Sequence, residues 1–112
     1  MNKVLSKLPA LMAEELQAAN EANPPFHSLH EGWAVLHEEV EETREALIKM
    51  GLAEKNLWEA IRNNYPASTH YEVLRVMEHA YQTAAEAIQV AAMAQKLIDG
   101  IEAGFDAEAA TK

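Results

Sequence analysis

Residues 84–94 read AAEAIQVAAMA, and only Glu86 and Gln89 among them are polar. They stand three apart, so on a helix they project from adjacent turns of one side. A carboxylate on such an apolar segment is costly unless a partner compensates it. A second set of oxygen ligands lies upstream in LHEEVEETREAL, residues 36–47, with glutamates at 38, 39, 41, 42 and 45. At about 100° per residue, Glu39 and Glu42 flank the line through Val35 and Ala46. Glu38, Glu41 and Glu45 point further out. Like charges three and four apart each cost a helix roughly 0.2–0.5 kcal/mol, and Arg44 and Lys49 offset only part of this. A divalent cation would offset it better, and hard oxygen ligands suit Mg²⁺ or Mn²⁺. The expectation is a metal site shared by Glu39, Glu42 and Glu86, with Gln89 at its edge. The competing reading is a solvated acidic face.

The run FHSLHEGWAVLH, residues 26–37, sets His30, Trp33 and His37 on one side of a helix, with His27 just before it. A nucleobase could stack on Trp33 or Phe26 while a histidine hydrogen-bonds it, which makes Trp33 and His30 candidate nucleotide contacts. The alternative has Trp33 filling the core and the histidines at its rim. A zinc site on His30 and His37 is disfavoured, because seven residues separate them by roughly 10 Å along the axis. His70 and His79 are expected at the surface, and Tyr65, Tyr71 and Tyr81 as packing residues with polar tips. Lys55, Arg62 and Arg75 are within reach of a triphosphate, with nothing to select among them.

The elements that must position these residues are helical. Among 112 residues, 49% are hydrophobic and 24% charged, and the four prolines fall at 9, 24, 25 and 66. That composition fits one all-α domain over residues 1–112. A first helix is expected over about 9–19, then a loop at NEANPPF. Ser28 and Glu31 form a capping box opening a second helix, 29–50, with Gly51 at its C′ position. Its apolar seam reads Leu29, Trp33, Leu36, Val40, Leu47 and Met50. A short third helix follows in AEKNLWEAIRNN. Thr69 and Glu72 form a second capping box, opening a fourth helix that reaches about Asp99. That helix carries a heptad-like seam at 74, 77, 81, 84, 88, 91 and 98. It is apolar on its other side too between 84 and 94, which places it between layers. The expected fold is a four-helix bundle, homodimeric or homotetrameric through the fourth helix, with a frayed tail at about 103–112.

With 18 acidic against 9 basic residues, the net charge is −9. No basic run exists to displace counterions, so nucleic acid is not an expected partner. The chain has no cysteine, so neither a disulfide framework nor a zinc–thiolate site is available, which fits a cytoplasmic setting. The opening MNKVLSKLPALMAEELQ has charged residues and a proline breaking its apolar stretch. It reads as neither a signal peptide nor a membrane span.

LHEEVEETREAL followed by EAIQVAAMAQKLI resembles the MazG-like all-α nucleotide pyrophosphohydrolases, and more narrowly their small phage and prophage members. The hallmark of that family is Glu-Glu-x-x-Glu, then Glu-x-x-Asp on a later helix, together holding Mg²⁺. Glu38, Glu39 and Glu42 match the first motif, and Glu86 opens the second. Gln89 stands where the family has Asp. The resemblance covers about 26–50 and 84–99, and nothing is carried over to 51–83. It implies hydrolysis of a nucleoside triphosphate to monophosphate and pyrophosphate, with Glu38, Glu39 and Glu42 as catalytic carboxylates. It also implies a helical dimer or tetramer. Two other readings keep the scaffold with a degraded site: a non-catalytic helical interaction protein, or a nucleotide sensor without turnover.

Overall fold

The structure, a computed structural model, describes residues 2–105. It consists of α1 (Asn2–Leu5), α2 (Leu8–Ala22), α3 (Leu29–Arg62) and α4 (Pro66–Glu102), with no strand among the described residues. None of these helices is long and apolar enough to cross a membrane. The chain divides into two compact units, Met1–Val40 with Ala87–Lys112, and Glu41–Glu86.

In the first unit, Phe26, Ala92 and Met93 form the buried centre. Met12, Leu16 and Ala19 from α2, Val35 and Leu36 from α3, and Leu97 and Phe105 pack against it. The Pro24–Pro25 loop stops α2 and delivers Phe26 inward. Ser28 then accepts the Glu31 backbone N–H at 3.2 Å, which opens α3. The reciprocal half of the expected box is displaced by one residue: the Glu31 carboxylate accepts the His27 backbone N–H at 3.1 Å. Gly32 is where α3 and α4 come close, because a Cβ there would strike Leu97 and press on Phe26. At the far end, the Phe105 N–H donates to the Gly100 carbonyl and its ring lies against Gly100. Of the tail expected to fray from about 103, residues 106–112 lie outside the described residues.

His27 also contacts Glu31 through its ring at 3.2 Å, and this, with the backbone bond, holds the Glu31 carboxyl below its ordinary value of 4.5. A lowered carboxylate pKa contributes stability that is present above the unfolded value and is lost as pH falls through the folded one. Acid titration of the melting temperature should therefore fall more steeply below about pH 4.5 in the natural chain than in Glu31→Gln. Parallel curves would show that the contact does not hold in solution.

The second unit corrects the helix count. Gly51 does not end a helix: α3 runs unbroken from Leu29 to Arg62, and no separate third helix exists. Ala46, Ala53 and Ala60 are buried at seven-residue spacing through this stretch, Ala53 being 1% exposed. That row carries the helix past the glycine, since packing overrides a propensity cost of about 1 kcal/mol. α3 stops instead at Asn64, whose φ of 55° is the left-handed conformation that asparagine tolerates at a helix end. The Tyr65 N–H bonds the Ala60 carbonyl, and Pro66 then starts α4 at the position where its missing N–H costs nothing. Thr69 lies inside α4 and donates its hydroxyl to the Tyr65 carbonyl at 2.8 Å, so it is not a cap.

The expected seams are also displaced. Leu29, Trp33 and Leu47 are exposed, as are Leu74, Met77, Tyr81 and Ile98 of the heptad row. Tyr65 and Tyr71 are exposed too. The buried positions of α3 in this unit are alanines, so the larger apolar groups stay outside them.

A Cβ at Gly51 would meet nothing within 4 Å. Gly51→Ala should therefore raise stability by roughly 0.5–1 kcal/mol in chemical denaturation, the helical preference of alanine over glycine. At a left-handed C′ position the same change would destabilise.

Candidate functional site

An open cleft of about 340 Å³ lies within the Glu41–Glu86 unit. Glu42, Glu45, Ala46 and Lys49 line it from α3, and Glu78, His79, Gln82 and Glu86 from α4. The spacing explains the set. Residues 42, 45, 46 and 49 fall on one face of α3, and 78, 79, 82 and 86 on one face of α4. Buried Ala46 forms part of the lining and adds no bulk to it. Four carboxylates thus stand around one small volume, with Lys49 and His79 beside them.

Glu39 lies one turn before Glu42 on α3. Within the Glu41–Glu86 unit, a carboxylate oxygen of Glu42 and one of Glu86 lie within 4.8 Å of each other, with Glu86 half-buried and Glu42 exposed; Glu39, half-buried, belongs to the first unit. Exposed acidic groups do meet in proteins without an ion, so the donor set must be judged on its chemistry. Glu42 and Glu86 offer hard oxygen ligands from two helices, which suits Mg²⁺ or Mn²⁺ with waters completing the shell. The Gln82 amide donates to Glu86 at 3.0 Å and orients that carboxylate.

Gln89 has a different neighbour. Its amide donates to the Glu15 carboxylate of α2 at 2.5 Å, tying α4 to α2 within the first unit. An amide at 89 is what Glu15 needs, and an aspartate there would meet a like charge. Gln89→Asp should therefore lower stability by roughly 1–3 kcal/mol at neutral pH. A melting temperature unchanged at pH 7 would show that the Glu15 bond contributes nothing.

The remaining expected residues are placed as follows. Glu38 is exposed, and Glu41 is half-buried and pairs with Arg44 at 2.6 Å. Trp33 is 60% exposed, so it does not fill the core. It stacks on His37 with ring centroids 4.8 Å apart and planes 9° from parallel. His30 is exposed. Phe26 is buried and belongs to the core. His79 corrects the sequence reading: it is half-buried, lines the cleft and contacts Arg75 at 3.1 Å. Counting back four and seven from Glu86 gives Gln82 and His79, a helical-phase signal that was present in the sequence. Glu78 and Lys49 follow from the same arithmetic.

No family model, curated protein or solved structure matches this chain.

Proposed function

We propose that this chain is a Mg²⁺-dependent nucleotide pyrophosphohydrolase on a MazG-like scaffold, cleaving a nucleoside triphosphate to the monophosphate and pyrophosphate. The observation that carries the reading is the approach of Glu42 and Glu86 to within 4.8 Å of each other on the lining of the cleft, with Glu45 and Glu78 around the same volume. These carboxylates would hold the ion, which when bound neutralises phosphate charge and lowers the pKa of water. The residues beside them have their own tasks. Lys49 brings positive charge to the cleft that would receive the phosphates. Glu45, Glu78 and His79 supply proton acceptors around the same volume. In the reaction, water oxygen bonds the α-phosphorus, the bond to the bridging oxygen breaks, and pyrophosphate leaves with that oxygen. The test is pyrophosphate release from a panel of ribo- and deoxyribonucleoside triphosphates with Mg²⁺ or Mn²⁺. Release that depends on the divalent ion supports the reading, and release from none of them contradicts it.

A second reading has its own observation. In the Glu41–Glu86 unit the buried apolar residues are alanines, while Leu47, Trp58, Ile61, Leu74, Met77 and Tyr81 are exposed. Surface of this kind marks an association site. The chain would then act as a helical interaction protein, or as a nucleotide sensor if ligand binds without turnover. The same surface supports a homodimer or homotetramer under either reading. Sedimentation separates these cases: an oligomer without pyrophosphate release favours the interaction protein.

A further inference from the structure

The Glu41–Glu86 unit holds a polar row on α4 that the metal site does not use. Tyr71, Arg75 and His79 stand four apart, with Glu72 beside them, so they share one side of the helix. Arg75 Nη2 lies 3.1 Å from His79 Nε2, and Arg75 Nη1 donates to the Tyr71 hydroxyl at 3.4 Å. The guanidinium carbon lies 5.7 Å from the Tyr71 ring centroid, and Arg75 Nε lies 3.9 Å from Glu72 Oε2. That oxygen is buried and accepts no hydrogen bond, so the guanidinium is the charge that compensates it. Tyr71 and Glu72 thus hold Arg75 from one side, and its free fork meets His79 on the other.

A guanidinium has donors and no acceptor. The His79 nitrogen opposite it is therefore the acceptor, and a neutral imidazole that accepts at Nε2 carries its proton on Nδ1. His79 also lines the cleft of about 340 Å³, together with Glu42, Glu45 and Lys49 from α3 and Glu78 and Glu86 from α4. What its ring can offer an occupant of that cleft is an N–H. Its basic nitrogen is already engaged, so a proton given up by water falls to Glu45 or Glu78.

We propose that Arg75 is a positioning residue: it fixes the Nδ1–H form of His79, which donates a hydrogen bond to a phosphate oxygen in the cleft and does not act there as a base. The inference rests on reading the cleft as a phosphate site. An anion among these carboxylates needs donors as well as a metal ion. Lys49 brings charge, and the His79 N–H adds a directional contact beside it.

The test is imidazole nitrogen NMR on the full chain at about pH 8, above the ordinary titration of histidine, followed by calorimetry with inorganic triphosphate and Mg²⁺. The natural chain should show His79 as the Nδ1–H form. Arg75→Met removes the donor, and the ring should move toward the Nε2–H form that free histidine favours. The same variant should bind triphosphate roughly threefold to tenfold more weakly. Arg75→Gln keeps an N–H donor without the charge, so it should retain the Nδ1–H form and most of the affinity. A purely structural arginine would move neither the tautomer nor its rescue. The proposal is overturned if His79 is the Nε2–H form in the natural chain, a result that needs no variant to fold. It is also overturned if Arg75→Met keeps the Nδ1–H form or the full triphosphate affinity. The tautomer is read without turnover, so a chain that releases no pyrophosphate overturns the proposed reaction and leaves this measurement to stand by itself.

Discussion

Glu86→Gln should lower pyrophosphate release on the order of 100-fold or more, the scale expected when a metal ligand is lost. Glu86 is half-buried, oriented by Gln82, and within 4.8 Å of an oxygen on Glu42. The amide keeps the shape and removes the negative charge. Two effects on stability should separate from the effect on rate. Without divalent ions, Glu86→Gln should melt at the same or a higher temperature, because one of several crowded carboxylates is gone. With Mg²⁺ at a hundredfold excess over its Kd, the natural chain should gain roughly 2.7 kcal/mol, and the variant should lose most of that gain. Glu41→Gln is the control, since Glu41 pairs with Arg44 and is not on the cleft lining. Equal behaviour of the two variants would reduce the cleft to an acidic surface.

The second large effect is structural. Phe26→Ala should cost about 3–5 kcal/mol, as large-to-small changes of a buried aromatic do. Phe26 is the buried centre against which α2, α3 and α4 pack in the first unit, and it also carries the Lys96 ammonium on its ring. Its loss leaves a cavity and removes the group that partly offsets a buried charge. Against a total stability of about 5–15 kcal/mol for a domain, the variant should be unfolded in much of its population at 37 °C. Circular dichroism melts measure this directly. A loss below about 1 kcal/mol would mean that Phe26 is not the keystone of that core.

The helical phase of the acidic residues was legible because it needs only the repeat of an α-helix. That repeat put Glu39 and Glu42 beside the Val35–Ala46 line, and Ala46 is buried. The Pro24–Pro25 loop and the Ser28 cap were legible for the same local reason. The break at Gly51 was not, because a glycine ends a helix or sits inside one according to packing on either side of it. The alanines at 46, 53 and 60 held that information, since small residues every seven positions signal a continuous close contact. The large apolar side chains drew the expected seam away from them. Thr69 misled similarly: a capping box is a local pattern, and Pro66 opens the helix three residues earlier. The neighbour of Gln89 could not be read at all, because Glu15 is 74 residues away in sequence. The burial of Lys96 also leaves no local signature, as a lysine four residues from Ala92 reads as a solvent-facing group until α2 and α3 close over it.

The metal claim is tested most directly by calorimetric titration of Mn²⁺ into the natural chain, Glu42→Gln, Glu86→Gln and Glu41→Gln. One saturable site per chain is expected in the natural protein and in Glu41→Gln, weakened at least tenfold in Glu42→Gln and Glu86→Gln. Weak, non-saturating uptake of the same size in all four proteins would contradict the account.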